Sequence, residues 1–383
     1  MLEAVSLPAE PPPQRADPVR PVLAQMRAAR IGGIDAARAL AIIGMVMIHF
    51  GPRGDDAEGV LGWLYSLAHG RASILFVVIA GIGVSLLGRS AQEDATITLL
   101  YRSAVLLPLG LALQRLDHGI LVILQYYAVY FGVAALALRL RDRTLLHAAA
   151  AVAVAGPVLY LGAWIRQPEW FTRPAVELGD PLGAVAVDLV LAGSYPVVTW
   201  AAPLLFGIWL GRQDLRAPAV RFRLGAGGAV VALVASALSA TLSGLLGAPS
   251  PPPSWQQLMV AEPHSQMPLW LFCAAGSAAV VIALALVVVD RLRTLTWPLV
   301  ALGQLALTVY VAQLLVLAAE PELLRRAEVV PAILSVLRFA AVAAASAVVW
   351  RAFLARGPLE ALLRLPRLPR LPRPRSPDAP RGR

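Results

Sequence analysis

Apolar residues in this chain fall in long unbroken blocks, not in the alternation of a half-buried strand. The blocks run over about 34–51, 71–88, 98–114, 119–138, 145–164, 194–211, 224–246, 269–289, 296–318 and 331–354. Each is roughly 18–25 residues long, which is what a helix needs to cross the hydrocarbon of a bilayer. Only helices and closed barrels pair all their backbone polar groups there. The lack of period-two alternation argues against a barrel. The pattern predicts an all-α fold, a polytopic transmembrane helix bundle of about ten spans. A shorter apolar run, 183–192, is interrupted by Asp188 and reads as a half-span or re-entrant piece.

The flanks are different. Residues 1–29 are polar and Pro-rich and lack the apolar core of a cleavable signal, so they read as a disordered cytoplasmic tail. From Gly357 to residue 383 the chain is basic and repeats Arg-Leu-Pro, and Pro at every third position prevents a helix. This second tail reads as a solvated cytoplasmic segment, with adhesion to anionic headgroups as the functional alternative. Residues 30–356 form the membrane domain between the two.

Composition agrees with a membrane class: 58% of the 383 residues are hydrophobic and only 15% charged, against about a quarter charged in soluble domains. The net charge of +10 comes entirely from Arg, since the chain has no Lys. Placing the N-terminus inside puts Arg89, Arg102, Arg139, Arg141, Arg143, Arg212, Arg216, Arg221, Arg223, Arg291 and Arg293 on the inner side with the tail arginines. The outer side keeps only Arg53, Arg71, Arg115, Arg166, Arg173, Arg325 and Arg326. This asymmetry predicts both termini cytoplasmic and an even number of spans, in the plasma or inner membrane of a bacterium. It also turns the high pI away from nucleic acid, because the cations flank membrane segments. The lipid bilayer is the obligate partner, and a homo-oligomer is compatible with the pattern. The single cysteine, Cys273, allows no intramolecular disulfide.

Ionisable groups inside spans cost roughly 2.5–3.5 kcal/mol each, so they mark candidate chemistry. The first span carries most of them. Asp35 and Arg38 are three residues apart and can pair on one helix face. His49 follows Arg38 by eleven residues, about three turns, and returns to nearly the same face roughly 16 Å further along. The second span opens with His69, Gly70, Arg71, Ala72 and Ser73. His69, His118 and His264 map to the same side as His49, but their spacings match no metal-ligand motif, so no metal is expected. Gln125, Tyr126 and Tyr127 in the fourth span, and Tyr310 and Gln313 in the ninth, are polar groups in apolar runs. They either bond between helices or line a substrate cavity. No P-loop, dinucleotide fingerprint or Gly-x-Ser-x-Gly elbow is present.

Several stretches resemble one family. Residues 30–41 through His49 resemble the first-helix signature of the membrane acyltransferase superfamily, which includes the bacterial acyltransferase-3 proteins and the heparan-alpha-glucosaminide N-acetyltransferase relatives. His69 through Gly81 looks like the second-helix motif of the YeiB-like branch of those relatives. Ser194 to Trp200 and Pro263 to Ser265 look like its middle. Ala306 to Gln313 and Gly357 to Arg364 resemble its C-terminal signature. The resemblance spans about residues 30–365 and implies transfer of an acyl group, acetyl foremost, from cytoplasmic acyl-coenzyme A to a small-molecule or glycan hydroxyl or amine at the outer face. It also implies a catalytic histidine near the non-cytoplasmic ends of the early helices. His49 and His69 are the two candidates, as general base or as acyl carrier.

On the donor side, Arg30, Asp35, Arg38, Arg71 and Arg102 are the candidate coenzyme A residues, with Arg212 and Arg223 as further inner cations able to hold phosphates. The candidate cavity residues are Gln125, Tyr126, Tyr127, His264, Tyr310 and Gln313. A membrane transporter or flippase for a small polar or lipid-linked molecule is the alternative, because intramembrane charges and mid-span polar groups suit it too.

Overall fold

The apolar blocks form helices because each satisfies its own backbone and exposes only side chains to its neighbours or to lipid. The structure, a computed structural model, describes residues 31–52, 59–89 and 92–364. The N-terminal tail with Arg30, and the C-terminal tail beyond Arg364, lie outside these residues. So does Arg53.

In chain order the helices are α1 (Gly32–Phe50), α2 (Gly59–Ser66), α3 (Arg71–Gly88), α4 (Gln92–Gln114), α5 (Leu124–Ala137), α6 (Asp142–Arg166) and α7 (Leu182–Val187). Then follow α8 (Val197–Leu210), α9 (Pro218–Leu246), α10 (Pro268–Arg291), α11 (Arg293–Gln304), α12 (Ala306–Ala319), α13 (Pro321–Leu324), α14 (Val329–Phe353) and α15 (Pro358–Leu362). There is no strand among the described residues. The all-α transmembrane bundle read from the sequence is the fold observed.

Among the described residues, seven helical segments are long and apolar enough to cross a membrane, and up to nine are if each of two bent pairs counts as one span. In the first pair, α7 continues into a π-turn at Asp188–Ala192 and meets α8 at 58°. The discontinuity expected at 183–192 is therefore present, as a broken span or a re-entrant loop. In the second, α11 meets α12 at 69°, which breaks what the sequence reads as one continuous span over 296–318. The remaining expected span, 119–138, is helical only from Leu124, as the 14-residue α5. Gly119 has φ +62, and His118 ties down the turn before it. Its Nε2 donates to Leu113 O at 2.9 Å and its Nδ1 accepts from Ile120 N at 3.1 Å.

Helices approach closely where glycines allow it, the usual solution when apolar helices gain little from leaving lipid. A Cβ on Gly81 would lie 2.3 Å from Leu204 O, and one on Gly207 2.1 Å from Val78 O, so α3 and α8 touch backbone to backbone. Gly33 of α1 sits against Leu286 of α10 in the same way. Helix α1 is central, packing on α3, α10, α11, α12 and α14. Residues 357–364, which the sequence assigns to the C-terminal tail, are folded. Glu360 Oε1 accepts from the backbone N–H groups of Leu307 and Thr308 at 2.8 and 3.1 Å, and its Oε2 from Thr308 Oγ1 at 2.6 Å. Glu360 thus caps α12 at the break, where N–H groups are left without helical partners.

Candidate functional site

Helix α1 carries polar side chains near both ends, and the bent pair α11/α12 meets both. At the start of α1, Arg38 Nη1 donates to Asp35 Oδ1 at 2.6 Å and to Gly303 O at 3.3 Å, and Gln304 Nε2 donates to Asp35 Oδ2 at 3.1 Å. The pair expected from the spacing is therefore formed. It is also anchored to the other half of the chain, at a crossing that needs glycine: a Cβ on Gly303 would lie 1.7 Å from Asp35 O. Asp35 is buried while Arg38 keeps a quarter of its side chain exposed. Arg102 lies close enough to Arg38 and Arg356 to feel both charges, and its Nε donates to Leu363 O at 3.3 Å. Arg356 is a third guanidinium here that the sequence did not single out. Tyr101 holds the same C-terminal segment through Leu362 O at 3.0 Å.

At the far end of α1, His49 Nδ1 lies 3.1 and 3.0 Å from Oε1 and Nε2 of Gln313 on α12. Gln313 is fully buried. If the amide oxygen faces the ring, Nδ1 carries the proton and Nε2 is the basic nitrogen; if the amide nitrogen faces it, the tautomer is reversed. Gln313 therefore fixes which nitrogen of His49 is the base.

His69 stands at the same end of the molecule. Met47 of α1 meets Tyr65, while Gly44 meets Ala68 and Ala72, so α1 and α3 are antiparallel. His69 faces His264 with ring centroids 5.6 Å apart, and His264 packs among Tyr195, Trp200 and Trp270 at 5.5, 6.1 and 6.5 Å. His264 and Gln266 both have positive φ, 59° and 66°, which costs of order 1–3 kcal/mol each away from glycine. Gln266 holds this loop in place: it is buried, accepts from Trp200 Nε1 at 2.6 Å and Thr199 Oγ1 at 3.1 Å, and donates to Ser194 O at 2.9 Å. Burial in this aromatic cage, reinforced by His69, holds the His264 imidazole down to about 4. His264 is therefore neutral at physiological pH.

Arg71 belongs to this end. Its guanidinium lies 5.6 Å above the Trp270 ring and 3.6 Å from Cys273 Sγ. Cys273 is thirteen residues along α10 from Leu286, the level of Gly33, so Arg71 is roughly 20 Å from the Asp35 end at 1.5 Å per residue. The structure places it with the histidines and away from Arg38 and Arg102. Arg212 is likewise occupied, by Asp142 at 2.9 Å and by the carbonyls of Leu138 and Leu140.

Buried aromatic side chains fill the space between. Tyr127 is an electrostatic neighbour of Arg38 and Tyr310, its hydroxyl has no hydrogen-bond partner, and its ring lies 5.3 Å from Tyr130. Tyr130 donates to Tyr195 O at 2.6 Å, and Tyr126 contacts the Tyr195 ring at 5.4 Å. Tyr126 donates to Asp188 Oδ1 at 2.6 Å across the first helix break, and Tyr310 accepts from Ile123 N at 3.3 Å. Gln125 is buried with Oε1 unbonded. Two cavities, of about 520 and 460 Å³, lie elsewhere, and none of the six candidate cavity residues lines either. The second of these cavities is bordered by Asp188, the partner of Tyr126. No group of three His, Cys, Asp or Glu side chains converges as metal ligands do among the described residues.

Two family models match the chain. One, described as heparan-alpha-glucosaminide N-acetyltransferase, catalytic, covers residues 30–242, and so contains α1, both candidate histidines, Arg102 and the Tyr126–Tyr130 segment. The other, described as a protein of unknown function (DUF418), covers residues 223–366, and so contains His264, the α11/α12 break, Gln313 and Glu360. No curated protein matches. With more than half its length under the first model, the chain belongs to the heparan-alpha-glucosaminide N-acetyltransferase catalytic family.

Proposed function

We propose that the protein is an integral membrane acyltransferase that moves an acetyl group from acetyl-coenzyme A to a hydroxyl or amine, on a sugar or other small acceptor, across the bilayer. The observation that carries this reading is the division of α1. Guanidinium groups gather at its Asp35 end and a buried amide orients a histidine at its other end, with the same bent pair of helices holding both. Arg38, Arg102 and Arg356 suit the phosphates of the donor, because a guanidinium binds phosphate through paired donors. The arginine asymmetry of the loops supports a cytoplasmic side for this end, where coenzyme A thioesters are made, and an outer side for His49 and His69.

In the reaction, the basic nitrogen of the histidine takes the proton of the acceptor O–H or N–H. The acceptor atom then bonds to the acetyl carbon as the carbon–sulfur bond breaks. The coenzyme A thiolate leaves and regains a proton from the imidazolium. General-base assistance of this kind is worth roughly 10²–10⁴-fold. His49 is the stronger candidate because Gln313 sets its tautomer. His69 faces neutral His264 and Arg71, so it is suited to hold an acceptor or to carry the acetyl group.

The test is acetyl-coenzyme A binding to the purified full chain, by calorimetry, beside Arg38→Ala, followed by acetyl transfer in His49→Ala and His69→Ala. Saturable binding lost in the first variant and turnover lost in one of the others is the expected outcome. Full turnover in both histidine variants refutes the mechanism. A transporter is the second reading, favoured by the two helix breaks, since discontinuous spans are the usual material of substrate sites in transporters. Folded protein that binds no acyl-coenzyme A of any chain length would move that reading ahead of the first.

A further inference from the structure

Away from the histidines, α6, α8, α9 and α10 enclose a cavity of about 520 Å³ that is apolar along nearly its whole length. Helix α6 packs on α8, and α9 packs on α10. The floor is thus α8 and α10, and the walls are α6 and α9. A glycine crossing holds α9 down on α10: a Cβ on Gly228 would lie 2.6 Å from Gly276 O, and one on Gly276 2.5 Å from Gly228 O. The facing wall on α6 is built from Ala149, Ala150 and Ala153, whose short side chains do not reach across. The result is a slot along a membrane-spanning segment. Helix α9 is the least covered of the spanning helices, with 6% of its apolar window buried.

One end of the slot is polar, where Trp209, Gln213 and Arg223 line it. Two other cations of this end are paired, Arg221 with Asp290 at 2.7 Å and Arg212 with Asp142 at 2.9 Å. Arg223 has no carboxylate partner among the described residues and donates only to Ala219 O of its own helix, at 3.2 Å. A tryptophan and an arginine together mark the depth at which hydrocarbon gives way to headgroups. The slot therefore has the polarity of an anionic amphiphile: apolar for its length, with an unneutralised guanidinium, Arg223, in its lining at the mouth. A helix from a second copy does not fit, because a spanning helix about 10 Å wide and 30 Å long occupies roughly 2,400 Å³. We propose that the slot binds one acyl chain of an anionic membrane phospholipid, with the lipid phosphate on Arg223. The assignment does not depend on the transferase reading.

The test uses the delipidated full chain in detergent, with thermal shift and native mass spectrometry as readouts. Phosphatidylglycerol, phosphatidylcholine of the same chain length and inorganic phosphate are compared. Wild-type protein is expected to retain one phosphatidylglycerol and to be stabilised by it, with no response to the other two. Arg223→Gln should weaken phosphatidylglycerol at least tenfold. Gly227→Phe should abolish its binding by filling the slot, at a site where a Cβ meets nothing within 4 Å, so the helix itself is undisturbed. Equal binding of both lipids, an equal response to phosphate alone, or unchanged lipid retention in both variants overturns the proposal. So does a Gly227→Phe protein that loses self-association but keeps its lipid.

Discussion

Replacing Gly303 by Ala tests whether the crossing of α1 and α11 holds the candidate donor site together. The added Cβ would stand 1.7 Å from Asp35 O, where real Cβ contacts keep at least 3.0 Å, so the two helices must part by about 1.3 Å. Two hydrogen bonds span this crossing, Arg38 to Gly303 O at 3.3 Å and Gln304 to Asp35 at 3.1 Å. Neither survives a further 1.3 Å, since a hydrogen bond beyond about 3.5 Å is no longer one. Overpacking costs about 1–3 kcal/mol, and each lost bond about 1 kcal/mol. The sum is about 3–5 kcal/mol. In a protein of this size each kcal/mol moves Tm by about 2 °C, so the melting temperature in detergent should fall by about 6–10 °C. The control is Gly83→Ala in α3, where a Cβ meets nothing within 4 Å; there the helix should be slightly stabilised, by about 0.5–1 kcal/mol. Differential scanning fluorimetry of the two variants decides the matter. If Gly303→Ala melts within 2 °C of Gly83→Ala, the close crossing is not real and the anchoring of Arg38 must be rethought.

Other measurements follow from the same geometry. Gln313→Leu should reduce acetyl transfer about tenfold, less than His49→Ala, while Gln313→Glu should move the acidic limb of the pH–rate profile to higher pH by stabilising the imidazolium; an unchanged profile in Gln313→Glu would show that the amide does not govern His49. His264 is held down to about 4 in the folded protein, below its unfolded value near 6.5, so its contribution is fully present above about pH 6.5 and lost as the pH falls towards 4. The loss amounts to about 3 kcal/mol, and plots of Tm against pH for wild type and His264→Gln should diverge over that interval and not above it. Glu360→Ala removes three hydrogen bonds at the start of α12 and should cost about 1–2 kcal/mol, with weaker acetyl-coenzyme A binding by calorimetry as the segment that Arg102 and Tyr101 hold is released.

The parts of this molecule legible in the sequence are those a single helix can encode. The Asp35–Arg38 pair and its alignment with His49 follow from 3.6 residues per turn, and both appear. The blocks of apolar residues located every spanning helix or bent pair. Contacts between distant segments left no such trace. Gln313 stands 264 residues from His49, and although both are polar residues in apolar runs, nothing in their spacing pairs them. Gly303 looks like any other glycine until Asp35 O lies against it. Asp188 interrupts an apolar run in the sequence, and nothing there points to Tyr126 as its partner. Gln266, which holds the His264 loop, sits in a short polar stretch with no periodicity. Charge groups Arg71 with the donor cations although its loop reads as outer; the antiparallel packing of α1 and α3 sets it at the histidine end. Arg356 went unnoticed because it follows an ordinary span, and only folding of residues 357–364 brings it near Arg102.

The cap on α12 also orders events during synthesis. The amides of Leu307 and Thr308 leave the ribosome some 50 residues before the carboxylate that satisfies them. Until α14 has threaded and Glu360 has emerged, the helix that orients His49 has an unfinished end. A chain stopped at residue 356 would contain the spanning segments and every residue assigned to acyl transfer, and would still lack the clasp that sets them. Truncations at 356 and at 364 should therefore insert equally well and differ in whether the site forms.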